Sequence, residues 1–115
     1  MTRTADEIAV TADFDAAYAL GTADVMRRME RSVCGCGYGS TSWTTRDQAD
    51  RIAALLGLQP GTRLLDLGSG AGWPALYFAR TTGCSAVMVD VPLTGLRIAR
   101  KRACTDGTAA RTAVV

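Results

Sequence analysis

The stretch LLDLGSGAGW, Leu64 to Trp73, decides how the chain folds. An apolar run ends in an acid and meets glycines at 68, 70 and 72, which reads as a short strand, apolar enough for burial on both faces, feeding a tight turn. Pro74 follows at once. Lacking an amide hydrogen, it suits the first turn of a helix predicted to run to about Thr82. A strand that delivers a glycine-rich turn onto a helix N-terminus forms a cradle for a nucleotide-type cofactor. Glycines there permit close approach, and free backbone N–H groups face the ligand.

Downstream, strand and helix alternate. Ala86 to Val89 is a second predicted strand closing on Asp90, and Leu93 to Ala103 a second helix with Leu96 and Ala99 or Arg100 on alternate sides. Thr112 to Val115 begins a third strand. This alternation argues for parallel βαβ units with right-handed crossovers. Upstream, residues from about Asp6 to Val33 favour helix with a break at Gly21-Thr22, and Val25, Met26 and Met29 form a stripe suited to core packing or a lid surface. Cys34 to Trp43 reads as a loop. Thr45 and Gln48 have capping-box spacing, Ile52, Leu55 and Leu56 share a face, and Gly57 is a stop signal. The expected fold is therefore α/β, a Rossmann-like partial parallel sheet of about three strands with flanking helices. An N-terminal helical or lid segment is expected over 1–44 and the incomplete sheet domain over 45–115.

Composition excludes less than the motif does. Hydrophobic residues make up 48% and charged residues 21%, ordinary globular usage that argues against disorder or a fibrous protein. Net charge is +2, and Arg97, Arg100, Lys101 and Arg102 read as a solvated helix face rather than a phosphate or nucleic-acid contact. The first ten residues carry acids and no apolar core of a signal peptide, and no apolar run approaches the about 18 residues of a membrane span. A cytoplasmic protein without membrane partners is expected. Four cysteines without a CxxC pair and without any histidine make a poor metal set, so no metal is assigned. Cys84 and Cys104 are expected as small buried hydrophobes, and Cys34 and Cys36 as loop thiols.

The ligand's charge follows from the turn's neighbours. A dinucleotide fingerprint requires a third glycine where this chain has Trp73. Asp66, two residues before Gly68, would repel a pyrophosphate and attract a cation.

The pattern Asp66-Leu67-Gly68-Ser69-Gly70-Ala71-Gly72 resembles motif I of the class I S-adenosylmethionine-dependent methyltransferases, whose cofactor carries an ammonium and a sulfonium. Asp90, at the end of the next strand, extends the resemblance. The resemblance implies S-adenosylmethionine as cofactor. Asp66 would orient its methionine end, the turn from Gly68 through Ser69, Gly70 and Ala71 to Gly72 would cradle it, Asp90 would accept the two ribose hydroxyls, and Val91 and Pro92 would lie against the adenine. Tyr38 to Trp43 (YGSTSW) looks like the segment that closes over the cofactor in small-molecule members. Its aromatics Tyr38 and Trp43 would then either touch the ligand or anchor a helix. Trp73 would either cover the cofactor or fill the helix-to-sheet seam.

That family is built on seven strands in the order 3-2-1-4-5-7-6, and this chain holds patterns for about three. The first strand, central in the family, would then be an edge bearing Leu64, Leu65 and Leu67, a template for self-association. No catalytic residue is identified: the expected base and acceptor pocket lie in family segments with no counterpart here. The reading is a truncated, donor-binding half of a methyltransferase acting on a small-molecule acceptor, with no nucleic-acid partner. The alternative is a non-catalytic cofactor-binding or interaction module that pairs its open sheet edge with another chain.

Overall fold

Alternating apolar segments and turns give three parallel strands, β1 (Arg63–Leu67), β2 (Ser85–Val89) and β3 (Thr112–Val114), ordered β1-β2-β3. The computed structural model describes residues 1–38 and 42–115. Two helices precede the loop, α1 (Ala5–Gly21) and α2 (Asp24–Cys34); α3 (Arg46–Leu55) leads into β1. The crossovers are α4 (Ala75–Thr82) and α5 (Leu93–Thr105), and a short 3-10 turn, Ala109–Arg111, precedes β3. The α/β class, the three-stranded parallel sheet and the flanking helices stand as expected. Among the described residues no helix is long and apolar enough to cross a membrane.

The helix boundaries have local causes. Thr45 accepts from the amide of Gln48 at 3.2 Å while the Gln48 side chain accepts from the amide of Thr45 at 2.9 Å, so two otherwise orphaned donors are satisfied at the start of α3. Thr4 and Glu7 form the same box at α1. Pro74 sits one residue outside the helix it was expected to begin, as the N-cap of α4.

Register decides what the sheet buries. Leu64 pairs with Ala86 and Asp66 with Met88, so these four residues share one face. On that face Ala86 and Met88 are buried with Ala75 and Leu76 of α4 and Ala99 and Ala103 of α5. Small side chains bring both helices close, and fully buried Leu76 contributes roughly 1.5 to 3 kcal/mol by leaving water. The opposite face is open: Leu65, Leu67 and Val87 are exposed, Leu67 by 72%. β1 is thus an edge strand, as its order implies, but it is not buried on both faces as its composition suggested. Both crossover helices pack on the same side.

Three further expectations change with packing. In α3 the buried face is Ala49 and Ala53, set against Trp73, Tyr77 and Phe78, whereas Leu55 is 87% exposed and Ile52 and Leu56 are exposed too. Bulky α4 aromatics fill that interface, so α3 meets them with its small residues. Val25 and Met29 of α2 are exposed rather than core, and Cys104 is exposed while Cys84 is fully buried. All four cysteines are free thiols, and among the described residues none joins a cluster able to hold a metal ion.

Candidate functional site

At the carboxyl ends of β1 and β2 the glycine turn folds back on the sheet. Gly68, Gly70 and Gly72 have φ of 75°, 52° and 94°, the left-handed region that penalises any Cβ. A Cβ on Gly72 would lie 2.6 Å from a Leu76 methyl carbon, so its close approach to α4 also requires glycine. The turn amides, expected to face a ligand, are engaged internally. Gly68 and Ser69 donate to the carbonyl of Val89 at 2.8 and 3.1 Å, Gly72 donates to that of Ser69 at 3.0 Å, and Gly70 donates to Asp90 Oδ2 at 2.6 Å. Asp90 Oδ1 accepts from the amide of Val91 at 2.7 Å. Asp90 thereby locks the turn to the end of β2, a role its position in the sequence did not reveal.

Asp66 differs. Its Oδ2 is buried without a hydrogen-bond partner, as is Ser69 Oγ. Burial, and then the neighbouring charge of Asp90, push the Asp66 carboxyl above its ordinary value of 3.8. A raised folded-state value means that the ionised form destabilises the fold, a penalty absent at pH below 3.8 and growing as pH rises through the folded-state value. Asp66→Asn is therefore expected to be more stable than the parent at neutral pH, with the gap closing on acidification. Urea midpoints at several pH values measure it, and a pH-independent gap would show that ionisation is not the cause.

A cavity of about 740 Å³ opens beside the turn. Gly68, Asp90, Val91 and Pro92 form one wall; the other is formed by Arg3, just before α1, and by α1 itself through Val10, Phe14 and Tyr18 among others. Ser69, Gly70, Ala71 and Gly72 are buried. Sequence reading missed the α1 wall, although Val10, Phe14 and Tyr18 recur at helical i, i+4 spacing. Two contacts seat α1. Asp15 Oδ1 accepts from the amide of Thr94 at 2.8 Å, which holds Asp15 below the usual carboxylate range. Tyr18 lies over Gly70 and Gly95, where a Cβ on either would come within 3.1 Å of its ring.

The expected aromatic cover packs elsewhere. Trp73 is only 4% exposed, donates through Nε1 to the Thr44 carbonyl at 2.8 Å, and stacks between Tyr38 and Tyr77 at centroid distances of 5.1 and 5.2 Å. It fills the seam. Tyr38 donates its hydroxyl to Asp106 at 3.0 Å, and Trp43 is 86% exposed. None of the three lines the cavity beside Asp90. Gly39, Ser40 and Thr41, in the segment expected to close over the cofactor, lie outside the described residues.

The consecutive parallel strands, the acid-glycine turn and the acid closing the second strand define the fold of a class I S-adenosylmethionine-dependent methyltransferase. The comparisons with known proteins agree. The chain is 37% identical over 71 residues to a 27-O-demethylrifamycin SV methyltransferase of Amycolatopsis mediterranei, covering 57% of this chain and 24% of that protein. It is 44% identical over 41 residues to a glycine/sarcosine/dimethylglycine N-methyltransferase of Actinopolyspora halophila, covering 36% of this chain and 7% of the relative. The crystal structure of an RNA methyltransferase from Salinibacter ruber in complex with S-adenosyl-L-homocysteine superposes with a TM-score of 0.60 at 30% identity, over 63% of this chain and 47% of that one. The chain thus spans a quarter or less of these curated relatives and under half of this solved structure. No family profile matches it.

Proposed function

We propose that this chain is the donor-binding portion of a cytoplasmic methyltransferase that uses S-adenosylmethionine to methylate a small molecule. The observation that carries the reading is the buried, unpartnered Oδ2 of Asp66 at the mouth of the glycine turn. Asp66 is not among the residues lining the cavity, but a buried acceptor left unsatisfied just before the turn is relieved by a donor, and a cationic donor compensates a desolvated carboxylate best. The residues fit the cofactor. Asp66 and Ser69 would hold its methionine end, and Asp90, each of whose oxygens keeps a second lone pair beyond its amide contact, would accept the ribose hydroxyls. Val91 and Pro92 would meet the adenine, with α1 covering it from residues 1–44 while 45–115 form the binding domain.

The inward-facing amides of Gly68, Ser69, Gly70 and Gly72 revise the role of the turn, Ala71 included. They would shape a floor on which the ligand lies close to backbone, rather than donate to it. When bound, the cofactor supplies an electrophilic methyl group; this chain's residues orient it, and in-line transfer then depends chiefly on alignment with the acceptor. A small-molecule acceptor is supported by the two curated relatives, whose names specify 27-O-demethylrifamycin SV and glycine, sarcosine and dimethylglycine.

Calorimetric titration of the purified chain with S-adenosylhomocysteine is expected to give saturable heat. No heat from a chain with folded circular dichroism would overturn the donor-site reading. The second reading, an interaction module, is favoured by the open apolar face at Leu65, Leu67 and Val87. Concentration-dependent self-association in size-exclusion chromatography, without cofactor binding, would support it instead.

A further inference from the structure

We propose that the pocket between α2, Tyr38 and the last turns of α4 and α5 binds a compact anion of the phosphate-monoester class. Arg27, Arg80, Lys101 and Arg102 converge on this cavity of about 550 Å³, and Asp106 is the acid in its lining. Asp106 is already engaged, because its Oδ2 accepts the Tyr38 hydroxyl at 3.0 Å. The threonine hydroxyls in the lining donate to backbone carbonyls, Thr22 to Ala19 at 2.7 Å and Thr105 to Lys101 at 3.2 Å. The pocket therefore offers cationic donors and calls for a ligand made of acceptors.

Arg27 is incompletely served by the protein itself, and Arg102 beside it is partly desolvated. Arg27 pairs with Asp24 through Nη2, yet its Nε is buried with no hydrogen-bond partner. Arg102, read from the sequence as part of a solvated face, is half-buried: its guanidinium lies 5.3 Å from the centre of the Tyr38 ring, and Nη1 donates to the carbonyl of Ala71 at 3.0 Å. Burial and the nearby charge of Arg27 both weaken its hold on its proton, while Glu30, Tyr38 and Asp106 oppose them. Like charges gathered in a partly desolvated pocket are relieved by an anion with several acceptor oxygens, and phosphate matches guanidinium geometry. Because Arg102 also holds Ala71, an occupant of this pocket shares an arginine with the glycine turn.

Inorganic phosphate, titrated at constant ionic strength into the 15N-labelled chain, tests the assignment. Saturable shifts are expected at the Arg27 and Arg102 side-chain Nε–H groups, at Tyr38 and at the amides of Ala71 and Gly72. Lys101→Ala, at an exposed position that leaves the fold intact, and Arg27→Ala should each weaken the interaction about tenfold, the scale of a charged hydrogen bond. Shifts that rise linearly without saturating, or equal affinity in both variants, would overturn the proposal. An oligonucleotide that binds through Arg97 and Arg100 outside the pocket, while phosphate leaves these signals unmoved, would overturn it in favour of a nucleic-acid surface.

Discussion

Asp90→Ala is expected to weaken S-adenosylhomocysteine binding by about 1.5 to 3 kcal/mol and, independently, to destabilise the unliganded fold by about 1 to 3 kcal/mol. The two effects come from different sides of one carboxylate. Toward the protein, Asp90 satisfies the amides of Gly70 and Val91, and truncation leaves the buried Gly70 amide without an acceptor. Toward the cavity, it is the group proposed to hold the ribose. Asp90→Asn separates them in part: its single amide oxygen can still accept from Gly70, while its NH2 cannot accept from Val91 and the charge is gone. The asparagine variant should recover part of the urea stability and little of the affinity. Undiminished affinity in a folded Asp90→Ala protein would remove the residue from the site.

Gly95→Ala should reverse the usual sign of a helix substitution. In an ordinary helix interior, glycine to alanine gains about 1 kcal/mol. Here a Cβ at position 95 would fall 2.8 Å from both the carbonyl carbon and oxygen of Gly70, and 3.1 Å from the Tyr18 ring. Backbone cannot swing aside as a side chain can. α5 must back away from the turn, and the change should destabilise by about 1 to 3 kcal/mol. Binding should fall with stability, because the same displacement lifts Tyr18 and the α1 wall from the cavity. A raised thermal midpoint in Gly95→Ala would show that the contact between α5 and the turn is not tight.

The parts of the fold legible in the sequence were those written in local chemistry. Glycines at 68, 70 and 72, the Thr45–Gln48 box, Asp66 near the end of β1 and Asp90 just after β2 stand out within a few residues of themselves, so one sequence discloses them. What escaped depends on partners distant in the chain. Leu55 reads as core from its spacing, yet α3 meets an aromatic surface on α4 that admits only Ala49 and Ala53. The direction of the turn amides is equally hidden. Gly70 finds its acceptor in Asp90, twenty residues on, and only the β1–β2 pairing brings the two together. α1 showed its i, i+4 spacing, but a pattern around a helix does not say which surface it will cover. Arg102 looked like its charged neighbours at 97, 100 and 101, and only its reach to Ala71 and Tyr38 sets it apart.

The consecutive strand order has a kinetic consequence. Each strand pairs with the next one in sequence, so no contact of the sheet waits on a segment from the far side of the domain. Each pairing is parallel, however, and closes over a whole crossover helix rather than a tight turn, which makes it slow to form. During that slow assembly Leu65, Leu67 and Val87 stand exposed, and the apolar face they make is open to aggregation.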